Sequence, residues 1–72
     1  MADDDAILKK HSVVIAGHQT SVTLENIFWY SLKKIARTKG ESLKETITKI
    51  DSNRTTNLSS AIRVYVLKNK LP

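Results

Sequence analysis

The hydrophobic positions of this 72-residue chain change their spacing once, near residue 25. Between His11 and Leu24 they suit a strand. Val13-Val14-Ile15 is a β-branched run, Ala16-Gly17-His18 offers a turn or bulge, and Gln19-Thr20-Ser21-Val22-Thr23-Leu24 alternates. That alternation puts Thr20, Val22 and Leu24 on one face and Gln19, Ser21 and Thr23 on the other. From Glu25 to about Lys39 the rhythm is helical, with Phe28, Leu32 and Ile35 at i, i+4 and i+7, flanked by Trp29 and Ala36. Gly40 supplies a left-handed residue to end that helix. Ser42-Leu43-Lys44-Glu45 then fits a capping box, and Leu43, Ile47 and Ile50 continue a second helix to Asp51 or Ser52. After a polar stretch, Asn57 or Ser59 can cap a third helix carrying Leu58, Ala61, Ile62, Tyr65 and Val66 on one stripe.

The expected order is therefore strand, helix, helix, helix: mainly α with a short β-strand. Residues 1–10, acidic and then basic, read as a flexible arm, and 11–72 as one domain. The residues leave open whether Val13–Ile15 forms a second strand, extends the first or packs on the helices. A lone strand or one short hairpin is not stable in water, so this one lies on the helices or pairs with another chain. A chain of this size buries only about 60% of its unfolded surface and needs support. With no Cys, neither disulfides nor thiolate metal sites can supply it, so a homodimer is the expected support.

Charge narrows the partners. Twelve Lys and Arg oppose seven Asp and Glu, a net +5, and three of the acids are Asp3–Asp5. Such a balance favours polyanions, nucleic acid above all. No segment has the roughly 18 apolar residues of a membrane span, and the acidic start is the wrong sign for a signal peptide, so no membrane role and a cytoplasmic location are expected. No glycine-rich phosphate loop or paired acid cluster suggests an enzyme, a cofactor or a metal.

The stretch Gly17-His18-x-Thr20-Ser21-Val22-x-Leu24-Glu25, then Phe28-Trp29, Ile50-Asp51 and Asn57-Leu58-Ser59-Ser60-Ala61-Ile62-Arg63, resembles the ribbon-helix-helix proteins. These are the fold of the Arc and methionine repressors and, more nearly, a bacterial group of short domains. The likeness runs from about Ser12 to Leu67. It implies an intertwined homodimer with an intermolecular antiparallel β-ribbon over a shared core of Val22, Leu24, Phe28, Trp29, Leu32, Ile35, Leu43, Ile47 and Ile50, extended by a C-terminal helix.

The resemblance also implies sequence-specific binding of double-stranded DNA by a transcriptional regulator or repressor, with the ribbon in the major groove. Gln19, Ser21 and Thr23 would face base edges, and the alternative for them is an ordinary solvated sheet face. Related sequences often carry Arg where Gln19 and Thr23 stand, so the strongest guanine contacts are missing here. Phosphates would be held at the start of the second helix by Ser42, Leu43 and Lys44, with Lys10 and His18 adding to them and Lys9 contributing charge. Ser42 could equally be only a cap, and His18 only a locally packed turn residue. Trp29 and Tyr30 read as core and dimer-interface residues rather than a stacking platform, and Arg63 as the partner of an acid such as Asp51. The competing function is an antitoxin-like dimer that grips a protein partner.

Overall fold

A computed structural model describes residues 3–70. A single 3-10 turn at Asp4–Ala6 leads into strand β1 (Leu8–Ile15), strand β2 (His18–Glu25) and helices α1 (Asn26–Thr38), α2 (Leu43–Asn53) and α3 (Leu58–Lys70). The two strands form an antiparallel sheet in which Leu8 faces Glu25, Ser12 faces Ser21 and Ile15 faces His18.

The ribbon is thus made within one chain. The resemblance implied a ribbon shared between two chains; the hydrogen-bonded neighbour of β2 in the structure is β1 of the same chain. The physical reason is the turn. Ala16 (φ 51°) and Gly17 (φ 80°) both take positive φ, the signature of a two-residue type I′ turn, whose twist matches that of the strands it joins. Val13–Ile15 accordingly belongs to a second strand.

Of the flexible arm expected over residues 1–10, residues 1 and 2 lie outside the described residues, and the others make defined contacts. Leu8, Lys9 and Lys10 pair with Glu25, Leu24 and Thr23. Asn26, buried at the head of α1, holds the segment ahead of them: its backbone N–H donates to the Ile7 carbonyl (2.9 Å) and its Nδ2 to the Asp4 carbonyl (2.8 Å). A buried amide whose donors are satisfied in this way stabilises the contact, whereas leaving those donors unpaired would be costly.

The helix ends follow the sequence closely. α1 stops at Gly40 (φ 69°), where the Glu41 N–H donates to the Ala36 carbonyl and the Gly40 N–H to the Arg37 carbonyl, a Schellman closure. At α2 both halves of the capping box are present. Asn57 is the cap of α3, its Oδ1 accepting from the Ser60 N–H at 2.8 Å.

One layer of sheet and three helices enclose a core of Ile15, Val22, Leu24, Leu32, Ala36, Ile47, Ile50, Ile62 and Val66. Phe28, Trp29, Ile35 and Leu43 pack against it half-buried. The residues assigned to a shared dimer core therefore already pack within one chain. β1 leans on α2, while β2 meets α1 and α3.

Ala16 is the strained position of the turn, since a left-handed conformation costs an L-residue with a Cβ roughly 1–2 kcal/mol. Asn tolerates it and is favoured at that point of a type I′ turn. Ala16→Asn is therefore expected to raise the thermal midpoint by about 2–6 °C, for a gain of roughly 0.5–1 kcal/mol. Thermal unfolding followed by circular dichroism checks this, and an unchanged or lower midpoint would contradict the turn geometry.

Candidate functional site

The two-residue turn fixes which side of each strand looks outward. Val22 and Leu24 on β2, and Val13 and Ile15 on β1, face the helices and are buried or half-buried. The opposite face of β2 carries Gln19, Ser21 and Thr23, all exposed. Their cross-strand partners are Val14, Ser12 and Lys10. The hairpin thus presents six outward side chains, Lys10, Ser12, Val14, Gln19, Ser21 and Thr23, and the face ends at the next pair of the same parity, Leu8 and Glu25, its one acid.

Three of these six come from β1, and of the three only Lys10 was singled out from the sequence, as a phosphate contact. Ser12 and Val14 gave little signal. Val14 is apolar yet points outward at 42% exposure, so the run Val13-Val14-Ile15 conceals the alternation that betrayed β2. The signal available was the Ala-Gly dipeptide, a hairpin turn candidate once both flanks are read as strands.

The residues proposed to hold phosphate separate into two groups. Ser42, Leu43 and Lys44 begin α2, and Leu43, Lys44 and Ile47 line one side of an open groove whose other side is Ser12, Val13 and Val14, with Trp29. The first turn of α2 therefore sits beside the ribbon. His18 does not join it: it lies next to the turn, exposed, on the parity of Val22 rather than of Gln19.

The capping box limits what that helix start can offer. Ser42 Oγ accepts from the Glu45 N–H (3.0 Å), and the Ser42 N–H donates to Glu45 Oε1 (3.1 Å). Ser42 is therefore spent on the cap. Among the described residues the Leu43 and Lys44 N–H groups have no acceptor, which leaves two backbone donors at the positive end of the helix, with the Lys44 side chain next to them. The Glu45 carboxylate at the same end reduces the attraction for an anion.

Arg63 does not meet Asp51. Asp51 is taken by Arg54, three residues on in the chain (Nε–Oδ1 2.8 Å). Arg63 crosses instead to the strand-helix junction, donating from Nε to Glu25 Oε1 at 2.9 Å with its guanidinium 5.9 Å from the centre of the Phe28 ring. That bond holds the Glu25 carboxyl below the usual carboxylate value. Glu41 is lowered in the same direction by Lys49, with a second bond from the buried Thr46 hydroxyl (2.8 Å).

One aromatic contact ties the ribbon to the helices. His11 of β1 stacks on Trp29 of α1 with ring centres 3.7 Å apart and planes 8° from parallel. Its Nε2 is buried with no partner among the described residues. Desolvation, and secondarily the charges of Lys9 and Lys33, push the His11 pKa below the ordinary histidine value. Trp29 is thus a packing residue, as its helical register suggested, while half-exposed Tyr30 (54%) lies outside the core.

Comparison with known proteins gives a consistent picture. The profile of a family described as a ribbon-helix-helix domain matches residues 8–69. An uncharacterized protein from Bordetella pertussis Tohama I has a similar solved structure, with a TM-score of 0.79 and 26% identity over 93% of this chain and 58% of that one. The chain therefore spans less than two thirds of that protein's length. No curated protein matches the sequence. Among the described residues no helix is long and apolar enough to cross a membrane, and no cluster of three His, Asp or Glu side chains could hold a metal ion.

The lowered pKa of His11 gives a pH dependence with a definite sign. As pH falls, the unfolded chain takes up this proton before the folded one does, so stability falls with it. The contribution of neutral His11 is complete above about 6.5 and is lost from there down towards the folded value. Thermal midpoints measured between pH 8 and 5 should decline through this window. In His11→Phe the decline should flatten there, leaving the losses at Glu25 and Glu41 to appear at more acid pH. An identical slope in the variant would show that the stack is not its source.

Proposed function

From the premise that the chain belongs to the ribbon-helix-helix family, we propose that it binds double-stranded DNA sequence-selectively through its hairpin and acts as a transcriptional regulator. The observation that carries this reading is the outward face of the ribbon: six solvent-facing side chains with no carboxylate among them, flanked by the open start of α2, while the one acid of that parity, Glu25 at the end of β2, is paired with Arg63. A two-stranded ribbon fits the roughly 12 Å width of the major groove of B-DNA. Gln19 can pair bidentately with adenine, and Ser12, Ser21 and Thr23 can donate or accept toward several bases. Val14 and the Thr23 methyl suit a thymine methyl group. Lys10 adds phosphate attraction at the end of the face beside Thr23.

The Leu43 and Lys44 N–H groups would set register by gripping one phosphate oxygen, with the Lys44 ammonium beside them. The net charge of +5 favours the encounter. In place of Arg at positions 19 and 23, the face offers amide and hydroxyl groups. The preference it supports is for adenine and thymine over guanine.

The proposal includes a homodimer, as the family resemblance implies. It is supported by exposed apolar side chains on the helices, Ile27 and Tyr30 on α1 and Val64 and Leu67 on α3. These are the positions where a second copy, or a partner protein in the antitoxin-like alternative, would be covered.

Selection of bound sequences from a random duplex pool at fixed salt tests the reading. Enrichment of an A/T-containing pseudo-palindrome is expected. Thr23→Ala should then lower the preference for that site by about tenfold, the loss of one modest base contact, without altering the thermal midpoint. Lys44→Ala should instead weaken all sequences alike and reduce the slope of log affinity against log salt by about one. No enrichment at any salt, together with a stoichiometric protein partner recovered from cells, would replace this reading with the interaction module.

A further inference from the structure

The family match runs from β1 into α3, and this third helix lies against the reading strand. In a two-residue hairpin the closing pair, here Ile15 and His18, faces inward through its backbone groups, and the pattern then alternates. Leu24, Val22 and Thr20 therefore turn their N–H and carbonyl groups toward β1. Thr23, Ser21 and Gln19 turn theirs to the free edge of β2. α3 occupies one end of that edge: Ser59 Oγ donates to the Thr23 carbonyl at 2.9 Å. One helical turn further on, Arg63 holds Glu25, the last residue of β2 and the cap position of α1.

These are bonds between residues 36 and 38 positions apart in sequence, so they fix tertiary placement rather than local conformation. Each of them meets β2 at an outward-parity residue, Thr23 or Glu25, and neither Ser59 nor Arg63 belongs to the outward face itself. Asn57 performs the capping of α3, which leaves the Ser59 hydroxyl free for this contact.

We propose that Ser59 and Arg63 are positioning residues for DNA reading, and that α3 acts as a brace fixing the height and twist of β2 relative to the start of α2. The inference rests on the DNA-binding reading of the ribbon. Base readout by hydroxyl and amide groups tolerates little displacement, and a strand edge held at only one side is free to shift. With the brace, Thr23 and Ser21 are presented at a set distance from the phosphate-binding donors of Leu43 and Lys44. Without it, contact with the DNA backbone persists while selection between bases declines.

The test uses the full chain and three variants: Ser59→Ala, Ser59→Thr and Glu25→Ala. Each is compared for its affinity toward the site selected by the wild type and toward a random-sequence duplex. Ser59→Ala should lower the ratio of the two affinities roughly fivefold, the weight of one net hydrogen bond, at unchanged random-sequence affinity, and Glu25→Ala should lower the ratio by as much although the lost negative charge raises random-sequence affinity. Ser59→Thr keeps the hydroxyl and should keep the ratio. Glu25→Ala is the sharper case because it removes a negative charge. A role through electrostatics alone would tighten binding to every duplex alike and leave the ratio unchanged.

Amide shifts of Gln19, Ser21 and Thr23, recorded on the free protein, provide a readout that does not depend on DNA. They should move in Ser59→Ala and Glu25→Ala and stay in place in Ser59→Thr, with folding verified by the thermal midpoint. Unchanged selectivity in folded Ser59→Ala and Glu25→Ala would overturn the brace. If the wild type selects no sequence, the DNA reading fails, and unmoved strand amides would then overturn the brace independently.

Discussion

The backbone turn at Ala16-Gly17 governs everything the surface of this protein can do. Because side chains alternate along a strand, a slip of one residue in the pairing would turn Gln19, Ser21 and Thr23 into the core and Val22 and Leu24 out to solvent. Two consecutive residues at positive φ prevent that slip by closing the hairpin at Ile15 and His18. From this single register follow the apolar inner face over the helices, the polar outer face, and the parity that directs the Thr23 carbonyl to Ser59.

The helices keep that hairpin in place from three directions. Asn26 ties the entry of β1 to the head of α1, the His11–Trp29 stack joins the middle of β1 to α1, and Ser59 with Arg63 joins the end of β2 to α3. A free two-stranded ribbon is marginal in water, and its stability here is borrowed from tertiary contacts and a shared core. The core is small, and a change of one methylene in it is felt. The contacts at the ribbon's margins are polar and directional; they add less to stability than to placement.

The start of α2 is a case of two demands on one structure. A capping box satisfies the helix by using the Ser42 hydroxyl and the Glu45 carboxylate. The same box removes those groups from any role with an anion and puts a negative charge near the site. What remains is two backbone donors and the Lys44 side chain, the groups on which the proposed phosphate contact depends.

Much of the secondary structure was decided by local sequence. The i, i+4, i+7 spacing, Gly40, the Ser42/Glu45 box and the Asn57 cap are signals read within a few residues, and three helices resulted where they point. The alternation of β2 was equally local, and so was the choice of Gln19, Ser21 and Thr23 for its outward face. Tertiary structure decided what depends on meetings across the chain. β1 was obscured because Val14 is apolar on the outward face and Lys9 and Lys10 resemble a solvated tail until Asn26 and β2 give them partners. Arg63 found Glu25, 38 residues away, because α3 crosses the end of β2, while Asp51 was already held by neighbouring Arg54. Spacing along the chain specifies which residues share a face; only packing specifies which face another element covers.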